Sequence, residues 1–265
     1  MNLLNTKKYK IYANFLNTLA KDLNKFYFSK LNRTFKVSNK IKGKGYDPVT
    51  TSDKAFEKFI RLKINKKFPS HQVIGEEFGH KKSTSDYTWV IDPIDGTKNL
   101  ILNLPTWSNL IGLYYKKNCI FSFANFPVLK KTFIGTINSS FLFYGKRRKK
   151  IITNKNANID NMKLAINTIH PLRFKKVDKF ILNYKGFFRT TASDAYNFCS
   201  IAEGNLDALI ESGLKSVDIL PIIKIVESAG AIITNWNGEK KFDDGKVIVA
   251  SNKKIHQFIL NKIKN

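Results

Sequence analysis

The segment Thr88–Leu100, TWVIDPIDGTKNL, drives a Val-Ile run toward a core and then ends it with two aspartates, Asp92 and Asp95. Carboxylates are costly beside apolar residues unless something compensates them. A divalent cation is one such compensation, because Mg2+ prefers oxygen and is held by a few carboxylates plus substrate phosphate and water. Pro93 stiffens the turn between the aspartates, so Asp92 and Asp95 can converge on one point, and the Ile94 carbonyl adds a third oxygen. Glu76 closes the preceding strand, in HQVIGEEFG, and is placed to bridge to the same ion. Gly96 lets the chain approach closely, and the amides of Gly96 and Thr97 at a helix start would cradle a phosphate. One short motif thus offers a cation site beside an anion site, as hydrolysis of a phosphate ester requires.

Taken alone, D-x-x-D-G-T reads as well as a turn followed by a helix N-cap. Its company favours the ligand reading. The chain has 20 acidic residues against 46 Lys and Arg, yet Asp53, Glu76, Glu77, Asp92, Asp95 and an apolar-flanked Asp218 sit at strand ends or helix starts.

The elements that must position these groups follow from periodicity. Residues 9–31 carry Ile11, Phe15, Leu19, Leu23 and Phe26 at helical spacing, and Asp53 leads a second helix marked by Phe56, Phe59, Ile60 and Ile64. GKGYDPVTTSD between them reads as a loop. HQVIGEEFG is a strand running into a turn, TWVID is a strand, and Gly96 begins a helix or tight turn. The stretch from Leu110 to Gly145 reads as a strand meander, and residues 145–165, polar and Asn-rich, as a junction between halves. Beyond it, KLAINT is a strand, residues 171–183 a helix, and SDAYNFCSIAEG a helix ending at Gly204. LDALIES is a strand, DILPIIKIVESAG a helix stopped by Gly230, AIITNWNG and KVIVAS strands, and KIHQFILNKIK a last helix. This mixture argues α/β or α+β.

Bulk properties set limits. A chain of 265 residues with 43% hydrophobic residues can bury a substantial core. No apolar run approaches the roughly 20 residues needed to span a bilayer, the N-terminus lacks a signal-peptide pattern, and Cys119 and Cys199 suggest no disulfide framework. These features lead to the expectation of a cytoplasmic protein with no membrane role. The net charge of +26 invites a nucleic-acid reading. Its basic residues are nearly all Lys, spread along the chain, with Arg only at 33, 61, 147, 148, 173 and 189. A nucleic-acid interface concentrates Arg, so we read the charge as compositional drift and expect no nucleic-acid partner. The dense cluster GKRRKK, Gly145–Lys150, reads as a solvated loop, and the field would still attract a small anionic substrate. His71, His80, His170 and His256 form no metal-like cluster, and Cys199 reads as core.

The acidic motifs carry a resemblance. WVIDPIDGTKNL and IGEEFG resemble signature elements of the inositol monophosphatase superfamily. DPVTTSDKAFEKFI resembles its upstream element and SVDILPIIKIVESAGAIITNW its second signature. They stand in the family's order across about residues 42–238. The resemblance implies one inositol monophosphatase-like domain over residues 1–265. It implies an α-β-α-β-α layered sandwich of the inositol monophosphatase/fructose-1,6-bisphosphatase type, commonly a homodimer. The half at about 1–145 would hold most metal ligands. The half at about 150–265 would hold the late Asp and the specificity residues. Phosphomonoester hydrolysis with two or three Mg2+ ions is the implied activity. Carried over by position, Glu76, Asp92, Asp95, the Ile94 carbonyl and Asp218 are the metal ligands. Asp53 and Thr97, with Glu76, serve the attacking water, and Gly96 and Thr97 cradle the phosphate. The family often has Trp before the late Asp, where this chain has Val217. Lys42 or Lys44 matches a family Lys near the metals.

Three stretches resemble the histidinol-phosphate phosphatase branch: Leu104–Tyr115, Phe126–Gly135 and, above all, Ser193–Pro221 with its E-S-G-L-K. They imply that Asp194 and Glu211 contact the leaving alcohol. Histidinol bears an ammonium and an imidazole, and pairing these with carboxylates is favourable in a partly desolvated pocket. The competing readings are a helix N-cap for Asp194 and a solvated strand end for Glu211. Trp107 reads equally as a flat wall for an imidazole or as a core aromatic. L-histidinol phosphate is therefore the expected small phosphorylated substrate. Inositol phosphate or a 3'-phosphonucleotide is the alternative within the same chemistry, and a basic RNA-binding protein on a phosphatase scaffold the alternative of another class.

Overall fold

The computed structural model describes residues 6–31, 35–42, 45, 47–145 and 147–264. Helix α1 (Thr6–Phe26) buries Tyr12, Leu16, Leu19 and Leu23, which recur on one face, and a wider turn over Tyr27–Leu31 continues it. Strands β1 (Val37–Asn39) and β2 (Pro48–Thr50) pair antiparallel, so part of the expected loop is a small hairpin. Helix α2 (Thr51–Lys67) starts from a reciprocal cap: Thr50 Oγ1 accepts from the Ser52 and Asp53 amides, and the Thr50 amide donates to Asp53. Its buried face is Phe56, Ile60 and Ile64.

An eight-stranded sheet follows. Its strands are β3 (Gln72–Gly75), β4 (Gly79–Lys81), β5 (Tyr87–Asp95), β6 (Ser108–Tyr115), β7 (Asn118–Phe126), β8 (Lys131–Thr136), β9 (Ser140–Tyr144) and β10 (Arg147–Ile151). They lie in the order β10-β9-β8-β7-β6-β5-β3-β4, with α3 (Thr97–Ile101) between β5 and β6. The later residues form a five-stranded sheet of β11 (Lys163–Ile166), β12 (Phe187–Thr190), β13 (Ala208–Glu211), β14 (Ile232–Thr234) and β15 (Val247–Ala250), in the order β12-β11-β13-β15-β14. Its helices are α4 (Lys175–Asn183), α5 (Asp194–Ala202), α6 (Ser216–Ile219), α7 (Ile223–Ala229) and α8 (Lys253–Ile263).

Period-two alternation assigns each strand face to a layer. On the large sheet Trp89, Ile91, Ile111, Leu113, Phe121 and Phe123 meet α1 and α2. The opposite face, with Leu110, Ala124, Phe126 and Phe133, packs on Phe198 and Ala202 of α5 and on Ile225 and Val226 of α7. The far side of those helices meets Leu209, Val247 and Val249 of the small sheet. Ala208, Ile210, Ile248 and Ala250 face outward onto Val177 and Ile181 of α4 and Ile255 and Ile259 of α8. The stack is helix, sheet, helix, sheet, helix, as expected. No helix among the described residues is long and apolar enough to cross a membrane.

Several local expectations need correction. The helix expected over DILPIIKIVESAG is two, α6 and α7, because Pro221 lacks an amide proton and its ring clashes with the preceding turn. Gly230 does stop α7, at φ 104°. The helix expected at 171–183 opens with a tighter turn, His170–Arg173, before α4. GKRRKK is not only a loop: Arg147–Ile151 is an edge strand whose charged residues are exposed, and charges on an edge discourage further strand pairing.

Candidate active site

The two aspartates are brought together by a bulge rather than by the expected turn. Asp92 pairs with Leu110 and Asp95 with Ser108, so Pro93 and Ile94 together oppose the single residue Asn109. Such a bulge re-aims side chains at the end of a strand. Asn109 holds it, donating Nδ2 to the Pro93 carbonyl at 2.7 Å, and the Ile94 amide donates to Asp92 Oδ1 at 3.0 Å. Asp95 Oδ2 accepts from the Ala195 amide at 3.2 Å and Ser108 Oγ at 3.3 Å, which ties the large sheet to α5. Gly96 follows with φ 80°, a conformation that strains residues with a Cβ.

Asp53 is fully buried in the first turn of α2 and accepts from the Thr50 amide at 2.7 Å and Thr50 Oγ1 at 2.6 Å. Its other oxygen accepts the Thr97 hydroxyl at 3.0 Å, and that hydroxyl also lies 3.2 Å from the Ile94 carbonyl. Glu76 stands just past β3, where Lys40 and Lys215 each approach Oε1 at 3.0 Å. Asp218 lies in α6 and accepts from the Lys215 amide at 2.7 Å.

Asp92, Ile94, Asp95, Gly96, Thr97, Glu76 and Asp218 line one cavity of about 270 Å3, and Asp194 and Glu211 line it too. Burial, then repulsion from Glu76, Asp218, Asp95 and Asp53, pushes the Asp92 carboxyl well above its usual range. Burial and then Asp194 and Asp218 do the same to Asp95. Asp218 is pushed up to about 6, chiefly by burial, and burial raises Asp53 against its Thr50 hydrogen bonds. For Asp194 the causes are burial and then Glu211, while burial lifts Glu211 to about 8. Burial works against the charge of Lys215, but Glu76 and Asp47 outweigh it and raise its pKa. The site therefore gathers more carboxyl groups than its lysines offset.

This surplus is the fit test for a metal. The donors are carboxyl and carbonyl oxygens, which suit a hard divalent cation. The Asp194 Oδ1 atom is buried without a hydrogen-bond partner among the described residues. No group of three carboxyl, imidazole or thiol side chains among the described residues is close enough to hold one ion, and Lys40 and Lys215 rest on Glu76. The donor chemistry and the repulsion fit a divalent cation.

The remaining expectations resolve individually. Trp107 does not wall the cavity: it is 1% exposed and packs edge-on against Tyr27, with ring centroids 4.8 Å apart. Its backbone instead stands behind Gly96. Ser193, not Asp194, is the residue before α5, and Asp194 makes no cap bond. Glu211 is 1% exposed, so it is not a solvated strand end. Lys42 is exposed and Lys44 lies outside the described residues, while Lys40 is the lysine on Glu76. Sequence reasoning missed Lys40, Lys215, Asn109 and Glu57. Glu57 is fully buried, accepts from Arg61 Nε and the Glu77 amide, each at 2.7 Å, and so anchors the turn carrying Glu76. Its signal was the Glu-Arg pair one helical turn apart. Gly75 is required beside it, since a Cβ there would lie 2.0 Å from Glu57 Oε1.

Comparison with known proteins gives a consistent picture. The profile of the inositol monophosphatase family matches residues 9–265. A bifunctional phosphatase IMPL2 of Arabidopsis thaliana chloroplasts is 31% identical over 82% of this chain and 65% of its own length, so this chain spans just under two thirds of that relative. A fructose-1,6-bisphosphatase/inositol-1-monophosphatase of Aquifex aeolicus is 32% identical over 82% of both chains. Relatives named Nus factor SuhB and histidinol-phosphatase stand at 30% and 26% identity. The crystal structure of an extragenic suppressor protein SuhB from Bartonella henselae superposes with a TM-score of 0.81 over 98% of this chain and 99% of that one, at 19% identity.

Proposed function

This chain belongs to the inositol monophosphatase family of phosphomonoesterases, and from that premise we propose that it hydrolyses L-histidinol phosphate to L-histidinol and phosphate with Mg2+. Glu76, Asp92, Asp95, Asp218 and the Ile94 carbonyl hold the ions, and two or three are expected. Bound there, Mg2+ supplies neutralisation of phosphoryl charge and acidification of a water.

The chain's own residues do the rest. Asp53 accepts the Thr97 hydroxyl proton, which leaves a Thr97 lone pair to take a hydrogen bond from the attacking water. Glu76 assists in holding that water. The Gly96 and Thr97 amides at the start of α3 receive the phosphate. Asp194 and Glu211 receive the cationic alcohol.

One observation carries the substrate reading. Asp194, its Oδ1 unpartnered among the described residues, adjoins Glu211, and although Lys98 and Lys215 line the same cavity, neither carboxylate is in an ion pair among the described residues. An ammonium or imidazolium would offset the burial and mutual repulsion that push both carboxyls up, whereas a neutral polyol would not. His170 at the same cavity adds a polar ring. EDTA should abolish turnover and Mg2+ restore it; turnover without metal would refute the mechanism. L-histidinol should inhibit as a competitive product far better than myo-inositol, and equal inhibition by the two would refute the cationic-alcohol assignment.

A further inference from the structure

A second cavity, of about 600 Å3, opens on the other side of the large sheet, between α1 and the strands β8 and β9. That volume is within the range of small-molecule sites. Asn17, Lys21, Asn24 and Phe28 reach it at spacings of three or four residues, so they share one face of α1 and its continuation. Lys130, Thr132 and Phe143 close the opposite wall. No acidic residue among the described ones lines it. Neither Lys21 nor Lys130 pairs with a carboxylate among the described residues, although their neighbours do: Asp22 pairs with Lys63 at 2.6 Å and Lys131 with Glu203 at 3.3 Å. The cavity therefore offers two ammonium groups, hydrogen-bonding amides and two aromatic rings, with no charge to oppose an anion.

Its floor connects to the active site. Asn24 Oδ1 accepts from Asn125 Nδ2 at 2.9 Å, and Thr132 Oγ1 donates to Asn125 Oδ1 at 2.9 Å. The same Asn125 amide donates to Asn109 Oδ1 at 3.1 Å, and Asn109 donates to the Pro93 carbonyl at 2.7 Å. Asn109 and Asn125 are fully buried, so a change at one end of this chain leaves costly unpaired groups unless the other end follows. Pro93 lies in the bulge that sets Asp92 and Asp95.

We propose that this cavity is a second binding site for a small anion carrying a planar ring, and that its occupancy is transmitted through Asn125 and Asn109 to the bulge that carries Asp92 and Asp95. The lysines take the anionic group, the Phe28 and Phe143 rings take the planar part, and Asn24 and Thr132 couple the ligand to the chain of amides. Effects between the two sites must be reciprocal in binding.

Naphthalene-1-sulfonate is a suitable probe, since it is always charged and is no phosphatase substrate. Calorimetry should show a single site in the wild-type protein, at least tenfold weaker in Lys21→Ala/Lys130→Ala and still present in Asp95→Asn. Both lysines are exposed, so the double variant should fold and turn over p-nitrophenyl phosphate normally without probe. At saturating probe, KM or kcat for that substrate should shift at least twofold in the wild type and not in the double variant. Absent binding, or binding indifferent to the two lysines, would overturn the site. Lysine-dependent binding with turnover unmoved would overturn the transmission. Both binding outcomes can be read whether or not L-histidinol phosphate is the substrate.

Discussion

Replacing Asp194 by Asn separates the role of the leaving-group pocket from that of the metal set. The substitution keeps size and shape but removes the charge that meets the substrate's cation. A hydrogen bond to a charged group contributes about 1.5–3 kcal/mol, which corresponds to a fall of about 10- to 150-fold in kcat/KM for L-histidinol phosphate. p-Nitrophenyl phosphate has no cation, so its kcat/KM should stay within about threefold. The same change should leave the metal-free protein as stable or more stable, because Asp194 repels Asp95 and Glu211 and its carboxyl is already pushed well up by burial and by that repulsion. Phosphate release on the two substrates and thermal melting in EDTA read the three outcomes. An equal loss on both substrates would refute the assignment and place Asp194 with the metal ligands. A lower melting temperature would show that the carboxylate is structurally satisfied.

Asp95→Asn should abolish turnover while the metal-free fold keeps or raises its melting temperature, since a like charge is removed from a buried cluster; an active Asn variant would refute the ligand assignment. Glu57→Ala strands the Arg61 guanidinium and the Glu77 and Phe78 amides, so urea denaturation should show a loss of about 3–5 kcal/mol, and a loss below about 1 kcal/mol would contradict its anchoring role. Burial and the nearby Lys8 and Lys81 charges lower the His71 pKa from 6.5 to about 4. The unfolded chain therefore takes up that proton first, and stability is full above pH 6.5 and falls as the pH drops toward 4, by at most about 3 kcal/mol. Denaturation at pH 7 and 4.5 measures the loss, which His71→Gln should shrink.

The acidic lining of the cavity was legible because most of it is local. Asp92, Ile94, Asp95, Gly96 and Thr97 fall within one turn of chain, and the scarcity of acid in a basic sequence singled out Glu76 and Asp218. Strand and helix periods also placed most elements correctly, while the layering came from the family resemblance. What stayed hidden depends on pairing between distant segments. The bulge opposite Asn109 arises from β5–β6 register, which the DPID spelling alone does not determine. Trp107 could be core or wall until α1 placed Tyr27 against it. Lys40 and Lys215 reach Glu76 from positions 36 and 139 residues away, and no spacing rule links such residues. The break at Pro221 was readable, but the continuous apolar pattern around it favoured one helix.

The most direct test of the cationic-alcohol claim is phosphate release with Mg2+ from a panel of four esters: L-histidinol phosphate, myo-inositol 1-phosphate, fructose 1,6-bisphosphate and 3'-phosphoadenosine 5'-phosphate. The pairing of Asp194 with Glu211 predicts that L-histidinol phosphate leads by orders of magnitude in kcat/KM. A comparable or higher value for any ester with an uncharged or anionic leaving group would contradict it.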